Sequence, residues 1–226
     1  MSDVLESLRG GLVVSVQAAD GSPLAEPSHL AAMARAAELG GATGIRAVEV
    51  AAVKEAVGLP VIGLRKRRVE GSDVRITPSV EDARAVAAAG ADMVAVDATL
   101  RPRPDGVDLA SLVAELTVPV LADVDCLEAG VAAREAGATA VATTLAGYTD
   151  AAPSPVEPDI HLVEVLAAEL DCPVFAEGRI ATPAQARAAF DAGAFAVVVG
   201  TAITDPLALT RGFAAATPRR SAHAAR

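Results

Sequence analysis

Two short punctuation marks alternate along this chain, and their spacing limits what it can fold into. The first is a helix that ends in glycine just before an apolar strand: Leu39-Gly40-Gly41-Ala42, Ala89-Gly90-Ala91, Ala136-Gly137-Ala138 and Ala192-Gly193-Ala194. Glycine past a helix end takes the left-handed conformation that satisfies the last carbonyls. The second is X-Pro-Val: Leu59-Pro60-Val61, Val118-Pro119-Val120 and Cys172-Pro173-Val174. Proline lacks the N–H that a sheet ladder uses, so it suits the first residue of a strand. Each mark recurs at roughly 50 to 60 residues and the two interleave, so a strand–helix unit of roughly 25 to 30 residues repeats about eight times.

The apolar runs that read as strands are 12–16, 44–47, 61–64, 93–97, 120–123, 140–143, 174–176 and 196–200. They are continuous rather than alternating, as parallel strands buried on both faces require. Between them lie Ala-rich amphipathic helices such as 29–39, 80–89 and 184–192. Ser79 with Asp82, and Thr182 with Gln185, have the capping-box spacing. Eight such units in 226 residues predict an α/β fold, a single-domain (β/α)8 TIM barrel over residues 1–226. A doubly wound sheet is the alternative; the even spacing and the lack of a G-x-G-x-x-G turn count against it. The segment 146–158 carries three prolines and reads either as a lid or as a passive insertion. The last stretch, about 216–226, with Arg219, Arg220 and Arg226, reads as a flexible basic tail.

Hydrophobic residues make up 52% of the chain and aromatics only 2%, so the core must be built from Ala, Val, Leu and Ile. A net charge of −10 argues against nucleic acid and anionic membranes as partners, since both need a basic face. Cys126 and Cys172 are too few and too far apart for a disulfide framework or a zinc site, and they point to the cytoplasm. The expectation is a soluble protein with no secretory leader and no apolar run of membrane-spanning length. A homodimer stays open, because no exposed apolar helix face identifies itself in the sequence.

In a barrel the strand ends converge on one face, where the chemistry sits. Here they carry Gln17, Arg46, Arg65-Lys66-Arg67-Arg68, Asp97, Asp123, Thr143-Thr144, Glu177 and Gly200-Thr201 in turn. Each alone is an ordinary polar strand terminus; together they make a polar ring around a pocket. Glu177 stands out because Gly178 follows it and a helix start comes next, with Thr182 as N-cap and Pro183 at the first position. Lys66 and Glu177 form a candidate acid/base pair. The arginines beside Lys66 would lower its pKa below that of a free lysine, unless the basic run is simply a solvated loop. None of His29, His161 and His223 lies at a strand end. Asp97, Asp123 and Glu177 match no dedicated metal motif, so the chemistry is expected to use neither metal nor cofactor. Gly178 and Gly200-Thr201 follow the last two strands, where many barrels hold phosphate on backbone N–H groups.

The residues also carry a resemblance. Leu12-Val13-Val14-Ser15-Val16-Gln17, Gly44-Ile45-Arg46-Ala47, Ile62-Gly63-Leu64-Arg65-Lys66, Asp97-Ala98-Thr99 and Ala122-Asp123 contribute to it. So do Thr143-Thr144-Leu145-Ala146-Gly147-Tyr148-Thr149, Ala176-Glu177-Gly178-Arg179-Ile180 and Val199-Gly200-Thr201-Ala202-Ile203-Thr204. In order and spacing, from about residue 8 to 215, they resemble the N-acetylmannosamine-6-phosphate 2-epimerases, (β/α)8 enzymes of sialic acid catabolism. The resemblance implies interconversion of N-acetylmannosamine 6-phosphate and N-acetylglucosamine 6-phosphate by inversion at C2. It implies Lys66 as the base and Glu177 as its partner in proton transfer and ring opening. Gln17, Arg46, Asp123 and Thr144 fall on substrate-binding positions, and Gly178, Gly200 and Thr201 fall beside the phosphate.

Three positions depart from the family pattern. Asp205 stands where the family has an arginine that holds the phosphate, and such a reversal costs several kcal/mol at an effective dielectric of about 20. Arg179 or Arg211 would have to compensate. Lys66 is followed by Arg67-Arg68-Val69 without the family's tyrosine, and Gly200-Thr201 replaces Gly-Gly. Two other functions therefore stand beside the first. One is the same epimerisation on an unphosphorylated or differently substituted amino sugar. The other is a non-catalytic sugar-binding barrel, which would need no proton-transfer pair.

Overall fold

The computed structural model describes residues 3–18, 21–150 and 157–218. Eight parallel strands close into a barrel in chain order: β1 (Leu12–Val16), β2 (Gly44–Ala47), β3 (Val61–Gly63), β4 (Met93–Asp97), β5 (Val120–Asp123), β6 (Ala140–Ala142), β7 (Val174–Glu177) and β8 (Ala196–Val199). Helix α1 (Asp3–Ser7) precedes them. Helices α2 (Pro27–Leu39), α3 (Val50–Ala56), α4 (Val80–Ala88), α5 (Leu109–Ala114), α6 (Leu127–Glu135), α7 (Ile160–Glu169) and α8 (Pro183–Asp191) alternate with them. A short α9 (Thr201–Thr204) and then α10 (Pro206–Ala215) follow β8. This is the (β/α)8 barrel that the spacing predicts. Residues 219–226 of the basic tail and 151–156 of the proline-rich segment lie outside the described residues. No described helix is long and apolar enough to cross a membrane.

Both punctuation marks have a physical role. Gly41, Gly90, Gly137 and Gly193 have φ of 95°, 94°, 93° and 96° and close the ends of α2, α4, α6 and α8. At three of these ends the next N–H reaches back to a helix carbonyl, Ala42 to Ala37, Ala138 to Ala133 and Ala194 to Ala189, each at 3.0 Å. Pro60, Pro119 and Pro173 stand one residue before β3, β5 and β7 rather than as their first residues. Their carbonyls still join the sheet, accepting from the N–H of Ile45, Val94 and Val141 at 2.9, 2.9 and 3.0 Å. Glycine thus leads into the even-numbered strands and proline into β3, β5 and β7.

Successive residues of a strand face opposite sides. One set faces the helices: Val14, Val16, Ile45, Ala47, Val61, Val94, Val96 and Val120 are all buried there. The other set fills the barrel interior, where Val13, Ile62, Met93, Leu121, Ala140, Phe175 and Val198 share one cluster. Leu5 of α1 and Leu8 belong to that same cluster and are almost fully buried. They seal the end of the barrel opposite the strand C-termini. Gly44 is the complement of this seal, because a Cβ there would stand 2.5 Å from Leu8 Cδ2.

Candidate active site

At the C-terminal ends of the strands a cavity of about 1650 Å³ opens, lined by Gln17, Lys66, Asp97, Thr144, Glu177, Gly178, Arg179, Gly200 and Thr201 among others. Arg46 and Asp123 are not on its surface. They form a layer beneath its floor, 1% and 0% exposed. The pleat explains the arrangement: in β5 and β7, Asp123 and Glu177 stand two residues beyond the interior residues Leu121 and Phe175.

Arg46 donates from Nη1 and Nη2 to the two carboxylate oxygens of Asp123 at 2.8 and 2.7 Å. Its Nη1 also lies 2.9 Å from Glu177 Oε2. Thr144 bridges the two acids, its hydroxyl lying against Asp123 Oδ1 and 3.2 Å from Glu177 Oε2. Thr143 faces away and latches β6 to β7, its Oγ1 accepting from the Glu177 N–H at 3.0 Å. Burial opposes the Arg46 charge, but Asp123 and Glu177 outweigh it and hold the arginine pKa above its ordinary value. Burial raises the Glu177 carboxyl; Arg46, Thr144 and Lys66 pull it down, while Asp123 adds to the rise, and the net shift is upward. One buried cation cannot fully serve two buried carboxyls.

Lys66 enters from the segment after β3, which folds into a small ribbon. Lys66 bridges Ile76 and Val69 bridges Ser72, both antiparallel. The basic run divides. Arg67 donates to Asp82 at 2.7 Å, and Arg65 lies 3.6 Å from the same carboxylate at the start of α4. Lys66, Arg67 and Arg68 line the cavity, and Arg65 does not. The cationic environment that the sequence places around Lys66 is therefore partly neutralised by Asp82, while the Lys66 charge acts on Glu177.

At the expected phosphate end, Gly178 has φ 108° and Arg179 has φ 56°. Arg179 stacks on the Tyr148 ring at 4.6 Å and donates to the carbonyls of Ala146 and Glu157. Among the described residues its Nη1 is buried without a partner, as is Gln17 Oε1. Asp205 also lines the cavity, yet its Oδ1 accepts from the Ala208 N–H at 2.9 Å and caps α10. The sequence reading passed over Asp125, which is 4% exposed and lines the same cavity. The available signal was its place two residues past Asp123. Among the described residues no group of three or more His, Cys, Asp or Glu side chains is placed to hold a metal ion.

Comparison with known proteins places this geometry. A family model described as "Putative N-acetylmannosamine-6-phosphate epimerase" matches residues 30–219. A protein of Caldanaerobacter subterraneus named "Putative N-acetylmannosamine-6-phosphate 2-epimerase" is 44% identical, covering 93% of this chain and 92% of its own length. A protein of Cutibacterium acnes with the same name is 49% identical, with 93% and 95% covered. The solved structure of the N-acetylmannosamine-6-phosphate 2-epimerase from Clostridium perfringens superposes with a TM-score of 0.92 at 36% identity, over 96% of this chain and 97% of that one. With the barrel, the strand-end ring and these relatives in agreement over nearly the whole chain, it belongs to the N-acetylmannosamine-6-phosphate 2-epimerase family.

Proposed function

We propose that this protein interconverts N-acetylmannosamine 6-phosphate and N-acetylglucosamine 6-phosphate by removing and returning the proton at C2. One observation carries the reading: Lys66 and Glu177 line the same cavity, and Glu177 rests on the buried Arg46–Asp123 pair. In the open-chain sugar C2 neighbours an aldehyde, so the electron pair left by the proton passes onto the carbonyl oxygen. Lys66, as the neutral amine, takes the proton. Glu177, its carboxyl held up by burial, retains a proton more readily than a free glutamate and serves ring opening and reprotonation. Return of the proton to the other face gives the epimer. General acid/base catalysis of this kind is typically worth about 10² to 10⁴ in rate. The steps require neither metal nor cofactor.

Gln17 offers its unpartnered carbonyl oxygen to a sugar hydroxyl, and Thr144 orients Glu177. The phosphate is assigned to Gly178, Gly200, Thr201 and the unpartnered Nη1 of Arg179. Asp205 is compatible with it, because its carboxylate is engaged at the positive end of α10. Unpaired Cys126 and Cys172, both with thiol pKa values raised by burial, support the cytoplasm as its compartment. Exposed Ile203, Leu209 and Phe213, on and next to a helix that buries no residue of its own, support a homodimer.

The test is proton NMR with N-acetylmannosamine 6-phosphate in D₂O. Deuterium is expected at C2 as N-acetylglucosamine 6-phosphate accumulates, and Lys66→Met is expected to abolish both while still binding the sugar. Exchange with unphosphorylated N-acetylmannosamine alone would shift the substrate to the free amino sugar. Binding without exchange of either sugar would leave a sugar-binding barrel.

A further inference from the structure

We infer that Asp125 belongs to the substrate site, accepting a hydrogen bond from a hydroxyl on C3, C4 or C5 of the open-chain sugar. The inference rests on the epimerase reading. Asp125 lies two residues past the end of β5, in the bend before α6, and lines the cavity. It is 4% exposed. Its Oδ2 accepts from Thr149 Oγ1 at 2.6 Å, and its Oδ1 is buried with no partner among the described residues. A carboxylate oxygen out of water without a donor is costly, and native structures rarely leave one so.

A structural duty does not account for it. Asp125 precedes α6, but the N-cap position there is Cys126, which makes no side-chain cap. With Oδ2 on Thr149 and Oδ1 unpartnered, neither oxygen takes an N–H of that helix. The adjacent Cys126 thiol interacts with this carboxylate but is only a weak donor, and Oδ1 still lacks a hydrogen bond among the described residues, so the partner that fits is a donor arriving with the ligand.

The chemistry of the sugar narrows which donor it is. As an acceptor, Asp125 Oδ1 gains nothing from the phosphate oxygens or the C1 carbonyl, which are acceptors too. The remaining donors are the N-acetyl N–H and the hydroxyls. The N–H is attached to C2, which must sit at Lys66 and Glu177. Asp123 is linked to Glu177 through the Thr144 hydroxyl, and Asp125 lies two residues farther along the chain, in the bend after β5. The contact also ties Thr149, and with it the turn after β6, to the β5 side of the cavity.

The experiment measures Asp125→Ala and Asp125→Asn with N-acetylmannosamine 6-phosphate and with its 3-, 4- and 5-deoxy analogues. Asp125→Ala is expected to raise KM on the order of 10- to 100-fold with kcat within a few fold, as for a lost binding contact to a charged group. Asp125→Asn keeps an acceptor oxygen and is expected to lose less. One deoxy analogue should lose a similar factor on the natural enzyme and nothing further in Asp125→Ala. Unchanged KM in both variants overturns the inference, as does an analogue series that loses the same factors in variant and natural enzyme. If Asp125→Ala fails to fold, the Asn variant and the analogue series on the natural enzyme decide it, and absence of any analogue penalty overturns it. A natural protein that exchanges no C2 proton defeats the epimerase reading instead; calorimetric Kd values for the same sugars then read Asp125 by itself.

Discussion

Arg46 holds the centre of the site from below. Its guanidinium has five donors in a planar fork, which lets it clasp Asp123 through two bonds and still reach Glu177. Arg46→Met leaves both acids buried without a cation, and breaking a buried pair this way costs about 3–5 kcal/mol. The sign with pH follows from Glu177 losing the Arg46 charge that pulls its raised carboxyl pKa down. A carboxyl held above its unfolded value favours the folded state at low pH, and that contribution is lost as pH rises through the folded value. Urea denaturation should therefore find Arg46→Met far more destabilised at pH 8 than at pH 5. Equal destabilisation at both would reject this account. Arg46, Asp123 and Glu177 were each legible in the sequence as polar strand ends. Their pairing was not, because Arg46 and Asp123 are 77 residues apart and only strand register and pleat bring them together.

At the scale of elements, the ribbon that carries Lys66 is fastened to the start of α4 through Asp82. Ser79 caps α4 by accepting from the Asp82 N–H, and the Asp82 carboxylate in return takes the Ser79 hydroxyl and Arg67. Burial alone would raise the Asp82 pKa, but Arg67, Ser79 and Arg65 outweigh it and the net shift is downward. Its contribution to stability is thus present above the ordinary carboxyl range and lost as pH falls through the depressed value. Asp82→Ala should remove that acid-side loss. It should also lower kcat at least about tenfold with little change in KM, because a small displacement of Lys66, the proposed base, is enough. An unaltered kcat would show that the ribbon positions Lys66 without this anchor. The helix caps and the glycine and proline marks could be read directly, since each is a local backbone requirement. The ribbon had as signals only the turn Glu70-Gly71 between Val69 and Ser72 and the brief alternation Val74-Arg75-Ile76, while its first arm is a run of basic residues.

Over the whole molecule the two ends of the barrel do different work. Chemistry-bearing side chains gather where the strands finish, while the opposite end is closed by α1 and Leu8 against Phe195 and the other interior residues. Five helical residues are too few to show an amphipathic period, which is why this seal could not be read from the sequence. The division makes a prediction about independence. Leu8 is fully buried and packs where Gly44 leaves room, so Leu8→Ala opens a cavity at the closed end. Such truncations cost about 2–5 kcal/mol, on the order of 10 °C in Tm for a chain of this length. Because the lost contacts lie at the far end of the barrel from Lys66 and Glu177, kcat and KM measured well below the new transition should equal those of the natural protein. Thermal unfolding and steady-state kinetics on the same preparation check both halves. A fall in kcat in step with Tm would mean that the interior layers between the two ends transmit the loosened packing to Arg46 and Asp123, and the barrel would then act as one mechanical unit rather than a stable base beneath an independent site.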